Sequence, residues 1–388
     1  MQWMVPQNKL SQTQLDILDN CMREGIKHHW IQGFAGSGKT VLLVHSIIDA
    51  RAKNPELSIC AVVYTNALKD LVATGIPDHL SNISVMTYHN FQKNPDRYDM
   101  IVVDEVQDLD EDVLKLLVQH CDKLIIAGDE DQSIYENRVS TKDIERIVNP
   151  TKYKLVELFR LTKAIRDIVS TLLPKSLIYE ARINRTLASV NITLAQAQNS
   201  KQEIEWCWQQ ARKFANEENP SAILLPKHEL IRTFIEGVCD LERLDKPRFD
   251  SNERGKINYE IVNKHLENSG LNLQYIGNKY GSLAESDNRP LVYLMTYHSA
   301  KGLDYETVFL PHLNEGMNFW KSDPELERRL LFVAMTRSRR NLFMSYHTDH
   351  PHFYVKNMPQ HLLHKIECMT QKQDEDNKQA EDNEQFYF

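Results

Sequence analysis

The 388-residue sequence lacks the features of a secreted, membrane-spanning or disulfide-stabilised protein. Its opening, "MQWMVPQNKL", shows no basic stretch followed by an apolar one and predicts no signal peptide. No apolar run approaches the ~18 residues that cross a bilayer. The six cysteines are scattered and form no CxxC pair, which indicates neither a disulfide framework nor a zinc site. We therefore expect a cytoplasmic protein with reduced cysteines.

The part of the chain expected to fold has little net charge. The whole sequence carries 46 Lys and Arg against 54 Asp and Glu, a formal net charge of −8. Residues 371–388 alone hold six acids against two lysines, a balance of −4. Net charge thus neither favours nor excludes nucleic acid, whose binding depends on local basic patches. The acidic, polar composition predicts a disordered tail over residues 369–388. A docking segment is the alternative, because three aromatics end the tail.

Apolar segments typical of strands alternate with helical patterns along the chain. The first third contains "HHWIQG", "SICAVVYT", "NISVMTYH", "DMIVVDE" and "DKLIIAGD". A second series, from about Pro150, contains "AILLP", "RPLVYLMTYH", "ETVFLPHL" and "NLFMSYH". Near-continuous Val/Ile/Leu strands between helices indicate parallel sheets covered on both faces. We predict two α/β domains of this kind, residues 1–149 and 150–368.

A glycine-rich segment, "GFAGSGKT", follows the first predicted strand and opens a helix. This is the context and the GxxxxGK[ST] spacing of a phosphate-binding loop. Glycines let backbone amides close round phosphate oxygens, Lys39 reaches the β- and γ-phosphates, and the Thr40 hydroxyl binds Mg²⁺. The sequence therefore predicts a nucleotide site formed by Gly33, Phe34, Ala35, Gly36, Ser37, Gly38, Lys39 and Thr40.

Two acids end another predicted strand, in "IVVDEVQD". Carboxyl ends of parallel strands meet at one edge of a sheet, so Asp104 should lie beside the phosphate-binding loop. There it would hold Mg²⁺, directly or through water, while Glu105 orients and deprotonates the attacking water. The alternative is an acidic cap on a solvated sheet edge. Together with the loop, the pair predicts hydrolysis of the nucleotide and not binding alone.

Further segments, taken in order, resemble the motifs of superfamily 1 helicases of the UvrD/Rep/PcrA type. "LSQTQLDIL" is similar to the adenine-reading Q motif, "VVYTNALKDL" and "VMTYHNF" to two DNA-contacting motifs, and "GDEDQSIY" to the third motif. "LFRLT" resembles the Tyr-Arg motif, and "MTYHSAKGLDYETVFL" and "ERRLLFVAMTRSRR" resemble the fifth and sixth motifs. The resemblance covers most of residues 8–346. It implies a P-loop NTPase of two tandem RecA-like domains that uses ATP and Mg²⁺.

The resemblance also implies roles at the nucleotide. Gln132 would sense the γ-phosphate, and Arg160 and Arg337 would be arginine fingers from the second domain. For either arginine alone, a surface charge or salt bridge is the alternative. With Lys39 and Glu105 these residues form the implied catalytic set. The other implied nucleotide contacts are Gln14, Phe159 in place of the family's tyrosine, Gly302, and Asp304 in place of the family's glutamate.

Residues near the ends of the predicted strands would contact the nucleic acid, again by resemblance. They are Tyr64, Thr65, Asn66, Thr87, His89, Tyr135, Arg138, Thr296, His298 and Ser299. For most of these residues the alternative is structural, a polar cap at the end of a strand. Asn137 stands where the family has its second aromatic in the third motif. An amide cannot stack on a base as an aromatic ring does, so the sequence predicts the loss of one base-stacking platform.

The spacing leaves little room for the accessory domains of larger family members. About ten residues separate "TYHNF" from the strand before Asp104, and fewer than 70 separate "AILLPKHELIR" from "MTYHSAKG". The chain therefore resembles a compact, two-domain form of the motor. Accessory domains supply duplex contacts and regulation in the family, so the spacing puts robust unwinding by this chain alone in question.

Two functions of different classes agree with these observations. One is a Mg-ATP-dependent motor moving 3′ to 5′ on single-stranded DNA, with the polarity implied by the resemblance. The other is a nucleic-acid-sensing ATPase switch or scaffold that regulates a protein partner, such as a nuclease, without robust unwinding. The complete hydrolysis set favours the motor, whereas the short architecture and the tail favour the switch. The chain shows no nuclease signature, so a partner would have to supply cleavage.

Overall fold

The structure is a computed structural model. It describes residues 3–80, 83–129, 132–134, 139–174, 176, 178, 181–183, 192–251, 255–277, 279–281, 283, 289–319 and 323–369. Among these residues, no helix is both long enough and apolar enough to cross a membrane. The six cysteines are all buried and free. Except for Met369, the predicted acidic tail lies outside the described residues.

The first domain is a six-stranded parallel sheet in the order β3-β2-β4-β5-β1-β6. Its strands are β1 His28–Gly33, β2 Ile59–Val63, β3 Ile83–Thr87, β4 Tyr98–Val103, β5 Cys121–Gly128 and β6 Thr151–Leu155. Its helices are α1 Gln12–Cys21, α2 Lys39–Lys53, α3 Asn66–Gly75, α4 Tyr88–Lys93, α5 Glu111–Gln119 and α6 Thr141–Val148. The five strands predicted in the first third are confirmed.

Alternate residues of a central strand face two separate apolar cores. In β2, Ile59, Ala61 and Val63 pack into a core that includes α2, while Cys60 and Val62 pack into the core that includes α5. Successive side chains of a strand point to opposite faces, so a strand covered by helices on both sides must be apolar throughout. The predicted parallel sheet with helices on both faces is confirmed.

The first sheet extends beyond the predicted domain boundary at residues 149 and 150. Strand β6 pairs in parallel with β1, from His29 opposite Thr151 to Gly33 opposite Leu155. It lies at the sheet edge, where Lys152 and Lys154 are exposed. Lysines on an edge strand discourage pairing with other chains. The first sheet therefore includes residues up to 155.

The second domain is a seven-stranded parallel sheet, and a short two-stranded pair precedes it. The pair is β7 Glu157–Leu158 and β8 Arg182–Ile183; the sheet contains β9 Ile192–Gln196, β10 Ser221–Leu225, β11 Leu273–Tyr275, β12 Val292–Thr296, β13 Tyr305–Leu310, β14 Ser338–Tyr346 and β15 Leu363–Glu367. The helices are α7 Lys163–Leu172, α8 Ser200–Phe214, α9 His228–Glu242, α10 Tyr259–Asn268, α11 Pro324–Met335 and α12 Phe353–Lys356. The strand order is β11-β12-β10-β13-β14-β9-β15.

A buried carboxylate joins α8 to the ends of β13 and β14. Glu203 Oε1 accepts hydrogen bonds from the His312 amide at 2.7 Å and from Ser345 Oγ at 2.7 Å. Its Oε2 lies 3.2 Å from His312 Nδ1 and 2.5 Å from His347 Nδ1. Burial would raise the pKa of Glu203, but the hydrogen bonds from the two histidines lower it to about 2. The ionised carboxylate thus ties three elements of the second domain together.

Replacing this carboxylate should destabilise the second domain in a pH-dependent way. Glu203→Gln exchanges charge-assisted hydrogen bonds for neutral ones, and we expect unfolding to cost about 1.5–3 kcal/mol less at neutral pH. The folded-state pKa lies below the ordinary value, so the stabilisation is present above pH 4.5 and is lost as the pH falls towards 2. Urea unfolding over this range measures the difference.

A matched control is Glu205→Gln on the same helix, whose carboxylate is partly exposed and accepts a hydrogen bond from Gln209 at 3.2 Å. Its effect should be small at every pH. A difference between the wild type and Glu203→Gln that stays constant between pH 4.5 and 2 would contradict the assignment.

Candidate active site between the two domains

The glycine-rich segment 33–40 forms a loop between β1 and α2. Gly36 and Gly38 have left-handed backbone angles, with φ of 76° and 90°. A Cβ at Gly38 would lie 2.6 Å from Gln14 Nε2, and one at Gly36 would lie 3.0 Å from Arg160 Cβ. The left-handed backbone angles favour glycine at both positions, and the close neighbours leave little room for a side chain. Gly38 caps α2, so the loop ends at a helix N-terminus, which favours anions.

Two polar side chains of the loop are held ready for an anion. Lys39 is buried, and its Nζ donates hydrogen bonds to the carbonyls of Gly33 at 2.8 Å and Phe34 at 3.1 Å. Ser37 is fully buried, and its Oγ has no hydrogen-bond partner among the described residues. An ammonium group and a spare hydroxyl beside a helix N-terminus fit a bound phosphate.

The first carboxylate of the "VVDE" strand lies against the end of this loop. Thr40 Oγ1 donates a hydrogen bond to Asp104 Oδ2 at 2.6 Å. Burial, together with the charge of Glu105, raises the pKa of Asp104 to about 6. A buried carboxylate short of positive charge and an adjacent hydroxyl are oxygen ligands of the kind that Mg²⁺ prefers. The predicted metal pair, Thr40 and Asp104, is therefore brought together.

The second carboxylate, Glu105, has the opposite electrostatic environment. Burial would raise its pKa, but the charges of Lys301, Lys39 and Arg337 lower it below the ordinary value. Gln107 Nε2 also donates a hydrogen bond to Glu105 Oε2 at 2.5 Å. Two adjacent carboxylates whose pKa values are shifted in opposite directions have different chemical roles. Glu105 stays ionised and can accept a proton.

A buried chain of hydrogen bonds runs from Glu105 into the second domain. Gln107 Oε1 accepts a hydrogen bond from the Asp129 amide at 3.1 Å, and Gln132 Nε2 donates to Asp129 Oδ2 at 2.8 Å. Gln132 Oε1 in turn accepts from Arg337 Nη2 at 2.8 Å. Each side chain in this chain is buried. Gln132 thus links the strand-end carboxylates of the first sheet to a guanidinium of the second domain.

The two predicted arginine fingers are held by different partners. Arg337 is buried, and it also donates hydrogen bonds to the carbonyls of Val333 at 2.8 Å and Leu303 at 3.0 Å. Arg160 Nη1 lies 2.8 Å from Asp304 Oδ1, and Asp304 Oδ2 lies 3.4 Å from the Nε of Arg339. In this structure Asp304 therefore pairs with arginines.

The residues predicted to meet the adenine lie beside the loop and contact it. Gln14 is buried; its Oε1 accepts a hydrogen bond from the Ser11 amide at 3.0 Å, and its Nε2 donates to the Ser37 carbonyl at 3.3 Å. Both ends of the Gln14 amide are thus bonded within the protein. The Phe159 amide donates to the Gly36 carbonyl at 3.0 Å. These contacts fix the position of the loop from both sides.

The sequence interpretation missed Lys301, which is more deeply buried than the other cations described at the site. Its Nζ lies 2.5 Å from Asp108 Oδ2 and 3.9 Å from Glu105 Oε2, and it donates to the Gln132 carbonyl. Both Lys301 and Asp108 lie inside quoted motifs, in "SAKGLD" and "VVDEVQD". A lysine and an aspartate in two motifs of opposite domains were the available signal. Gly302, next in the chain, lies against Leu68 of α3.

Five of the ten predicted nucleic-acid residues line one cavity between the domains. The cavity has a volume of about 190 Å³. From the first domain it is lined by Tyr64, Thr65 and Asn66, and from the second by His298 and Ser299. The ends of β2 and β12 thus face each other across the cleft.

The other predicted contacts lie close to this cavity, are buried, or are not described. Thr296 Oγ1 donates a hydrogen bond to Ser299 Oγ at 2.9 Å, and Thr87 is buried at the start of α4. His89 is exposed and stacks on Tyr88, with 4.0 Å between the ring centroids. Tyr88 in turn stacks on Tyr64, with 4.8 Å between the centroids. Thr65 also caps α3, accepting from the Leu68 amide. Tyr135, Arg138 and Asn137 lie outside the described residues.

A phosphate-binding loop lies beside two carboxylates at the neighbouring strand end, and arginines of the second domain face them. These features define a P-loop NTPase of two RecA-like domains. Family models agree with this class. Residues 262–349 match the UvrD-like helicase C-terminal domain, and residues 22–138 match an AAA domain. These matches support the assignment to the UvrD/Rep/PcrA-type superfamily 1 helicases that the motifs indicated.

Curated relatives carry names of the same family. The ATP-dependent DNA helicase Rep of Buchnera aphidicola subsp. Schizaphis graminum is 45% identical over 60 residues, 14% of this chain and 9% of the relative. F-box DNA helicase 1 of Gallus gallus is 24% identical over 343 residues, 71% and 32% respectively. The helicase PcrA of Bacillus subtilis is 37% identical over 67 residues, 16% and 9%. The chain covers less than a third of the length of these relatives.

A solved structure is also similar. The helicase nonstructural protein 10 of an arterivirus aligns with a TM-score of 0.42 and 13% identity, over 86% of this chain and 61% of that one. A likeness of this size supports no inference about function.

The Lys301–Asp108 pair should couple the two domains energetically. Lys301→Met leaves buried carboxylates without their ammonium group, and we expect a loss of about 3–5 kcal/mol of stability. In Lys301→Met/Asp108→Leu the unpaired charge at 108 is also removed, so the double variant should lose much less than the sum of the singles. Urea unfolding of all four proteins measures the coupling.

Lys115→Met is the matched control, because Lys115 pairs with Glu111 on an exposed helix face at 2.7 Å. Its unfolding midpoint should hardly move. Strictly additive effects of the two buried substitutions would contradict the pairing.

Proposed function

We propose that this chain is a Mg-ATP-dependent motor that moves on single-stranded DNA in the 3′ to 5′ direction. The observation that carries the proposal is the buried hydrogen-bond chain from Glu105 to Arg337 through Gln132. It links a hydrolytic carboxylate in one domain to an arginine in the other. The names of the relatives support DNA as the track, and the family resemblance supports the polarity.

The site residues divide the chemistry of hydrolysis among them. Lys39 and the loop amides would hold the phosphates of ATP, and Thr40 and Asp104 would hold Mg²⁺, which neutralises phosphate charge when bound. Glu105, kept ionised by the positive charges around it, would accept a proton from the attacking water. Arg160 and Arg337 would stabilise the negative charge that develops during phosphoryl transfer.

One short segment connects the ATP site to the proposed DNA path. His298 and Ser299 line the interdomain cavity, and Lys301, two residues further, enters the buried network beside Glu105. A shift of this segment on DNA binding would therefore reach the hydrolytic carboxylate directly. This arrangement supports hydrolysis stimulated by DNA, and stepping through opening and closing of the cleft.

A second candidate is an ATP-dependent switch that senses nucleic acid and regulates a protein partner such as a nuclease. The observation that favours it is the short connection between β3 and β4, where ten residues, Tyr88 to Arg97, contain only α4. Larger family members place an accessory domain there. For either function we propose a reducing compartment such as the cytoplasm, consistent with the six free, buried cysteines.

ATP hydrolysis with and without single-stranded DNA tests the site. Lys39→Ala removes the buried ammonium group, and Glu105→Gln removes the proton acceptor while preserving size. Each should reduce turnover by about 100-fold or more. Lys115→Ala, on an exposed helix, should hydrolyse ATP at the wild-type rate. Normal hydrolysis by both site variants would show that the site is wrongly assigned.

Strand displacement from tailed duplexes separates the motor from the switch. The motor should displace a strand from a 3′-tailed duplex and not from a 5′-tailed one. A preference for the 5′ tail would contradict the polarity. DNA-stimulated hydrolysis with no displacement from either tail would identify the switch.

A further inference from the structure

Gly277 and residues 279–281 form a tight turn between two cavities. Gly277 and Tyr280 exchange backbone hydrogen bonds of 3.0 and 2.9 Å. Between them Lys279 has a left-handed φ of 80°, which is uncommon for a residue with a side chain. A non-glycine residue held in this conformation has a cost that the surrounding structure must offset, and such residues cluster at ligand sites.

The turn lines both cavities. Lys279, Tyr280 and Gly281 form part of the wall of the interdomain cavity that contains the predicted nucleic-acid residues. The same three residues line a second cavity of about 620 Å³, which continues towards Lys264 and Arg289. A single strand of nucleic acid that leaves the interdomain cavity over this wall would pass the turn.

The ring of Tyr280 is supported from behind. It packs edge-on against Tyr259 at 6.1 Å, and Tyr259 stacks on Tyr275 at 3.6 Å. Tyr259 and Tyr275 are buried, whereas Tyr280 is half-buried. A ring that packs against a buried ring, itself stacked on a second one, loses little conformational freedom when a flat group stacks on it.

Two of the acids near the turn are paired with cations other than Lys279. The second cavity also contains Asp70, Glu260 and Glu267. Glu267 pairs with Arg289 at 3.1 Å, and Asp70 lies 3.8 Å from the Nζ of Lys69. Lys279 is exposed at the turn, on the side shared by both cavities.

We infer that this turn is a single-strand contact in which Tyr280 stacks on a base and Lys279 pairs with a neighbouring phosphate. Proteins that hold single strands without sequence preference combine these two groups. The inference rests on the proposed function. Tyr280 would also compensate for the aromatic that the third motif lacks, since Asn137 stands in its place. The turn belongs to the stretch in which larger family members carry an accessory domain.

Binding of a labelled oligothymidylate to the full chain, over a series of salt concentrations, tests the stack. Tyr280→Ala should weaken affinity about tenfold or more, with little change in the salt dependence. Tyr280→Phe keeps the ring and should bind as the wild type does. Loss of affinity in Tyr280→Ala alone would support the stack, whereas equal affinity of both variants and the wild type would overturn it.

The charge is tested by Lys279→Gly, which suits the left-handed backbone and therefore preserves the turn. The slope of log affinity against log salt should become shallower by about 0.7, as expected when one phosphate contact to a single strand is lost. Lys279→Arg should retain the slope, as should Lys365→Ala on exposed β15. An unchanged slope in Lys279→Gly would overturn the phosphate contact.

The wild-type protein separates the two levels of the argument. A wild type that binds no oligothymidylate and shows no DNA-stimulated hydrolysis contradicts the proposed function, and the inference with it. If the wild type binds DNA, but Tyr280→Ala binds with the same affinity and Lys279→Gly has the same salt slope, the role of the turn is contradicted and the proposed function is not.

Discussion

The ammonium group of Lys301 is the charge on which the active site depends. It comes from the second domain, is 1% exposed, and lies between Asp108 and Glu105 of the first. Removing a charge from water costs several kcal/mol unless close partners compensate. The compensation exists only while the domains are in contact. Opening of the cleft would therefore separate Lys301 from Glu105. Among the positive charges near Glu105, that of Lys301 lowers its pKa most.

The same constraint explains how adjacent carboxylates acquire different roles. Asp104 directly follows β4 and accepts a hydrogen bond from Thr40, and burial raises its pKa. Glu105 has a left-handed φ of 55°, which turns the chain away from the strand direction. Its side chain thereby meets Lys301 and Gln107. The left-handed backbone angle at Glu105 thus places two adjacent carboxylates in different surroundings. Asp104 is placed to bind a cation, and Glu105 stays ionised beside Lys301.

The sequence predicted those parts of the molecule whose signal is local. Continuous apolar strands and the glycine-rich loop carry their structure within a few residues, so the first sheet and the loop could be found. Strand β6 alternates exposed lysines with other residues and lacks such a run, so the sequence did not show that the first sheet continues to Leu155. The Glu203 cluster joins residues more than 100 positions apart, and the Lys301–Asp108 pair crosses the domain interface. The two motifs could have drawn attention to Lys301 and Asp108 as single residues, but which residues pair in either cluster depends on the packed fold.

Compactness has a consequence for how the two sites communicate. The cavity and the buried network share the segment after β12, and Ser299 is separated from Lys301 by one residue, Ala300, which is fully buried. A close-packed residue transmits displacement because it has no free volume in which to absorb it. Coupling between the proposed DNA path and Glu105, the proposed hydrolytic carboxylate, therefore needs no additional domain. A chain of two domains offers few contacts along a single strand of nucleic acid. The turn that lines both cavities would lengthen that contact.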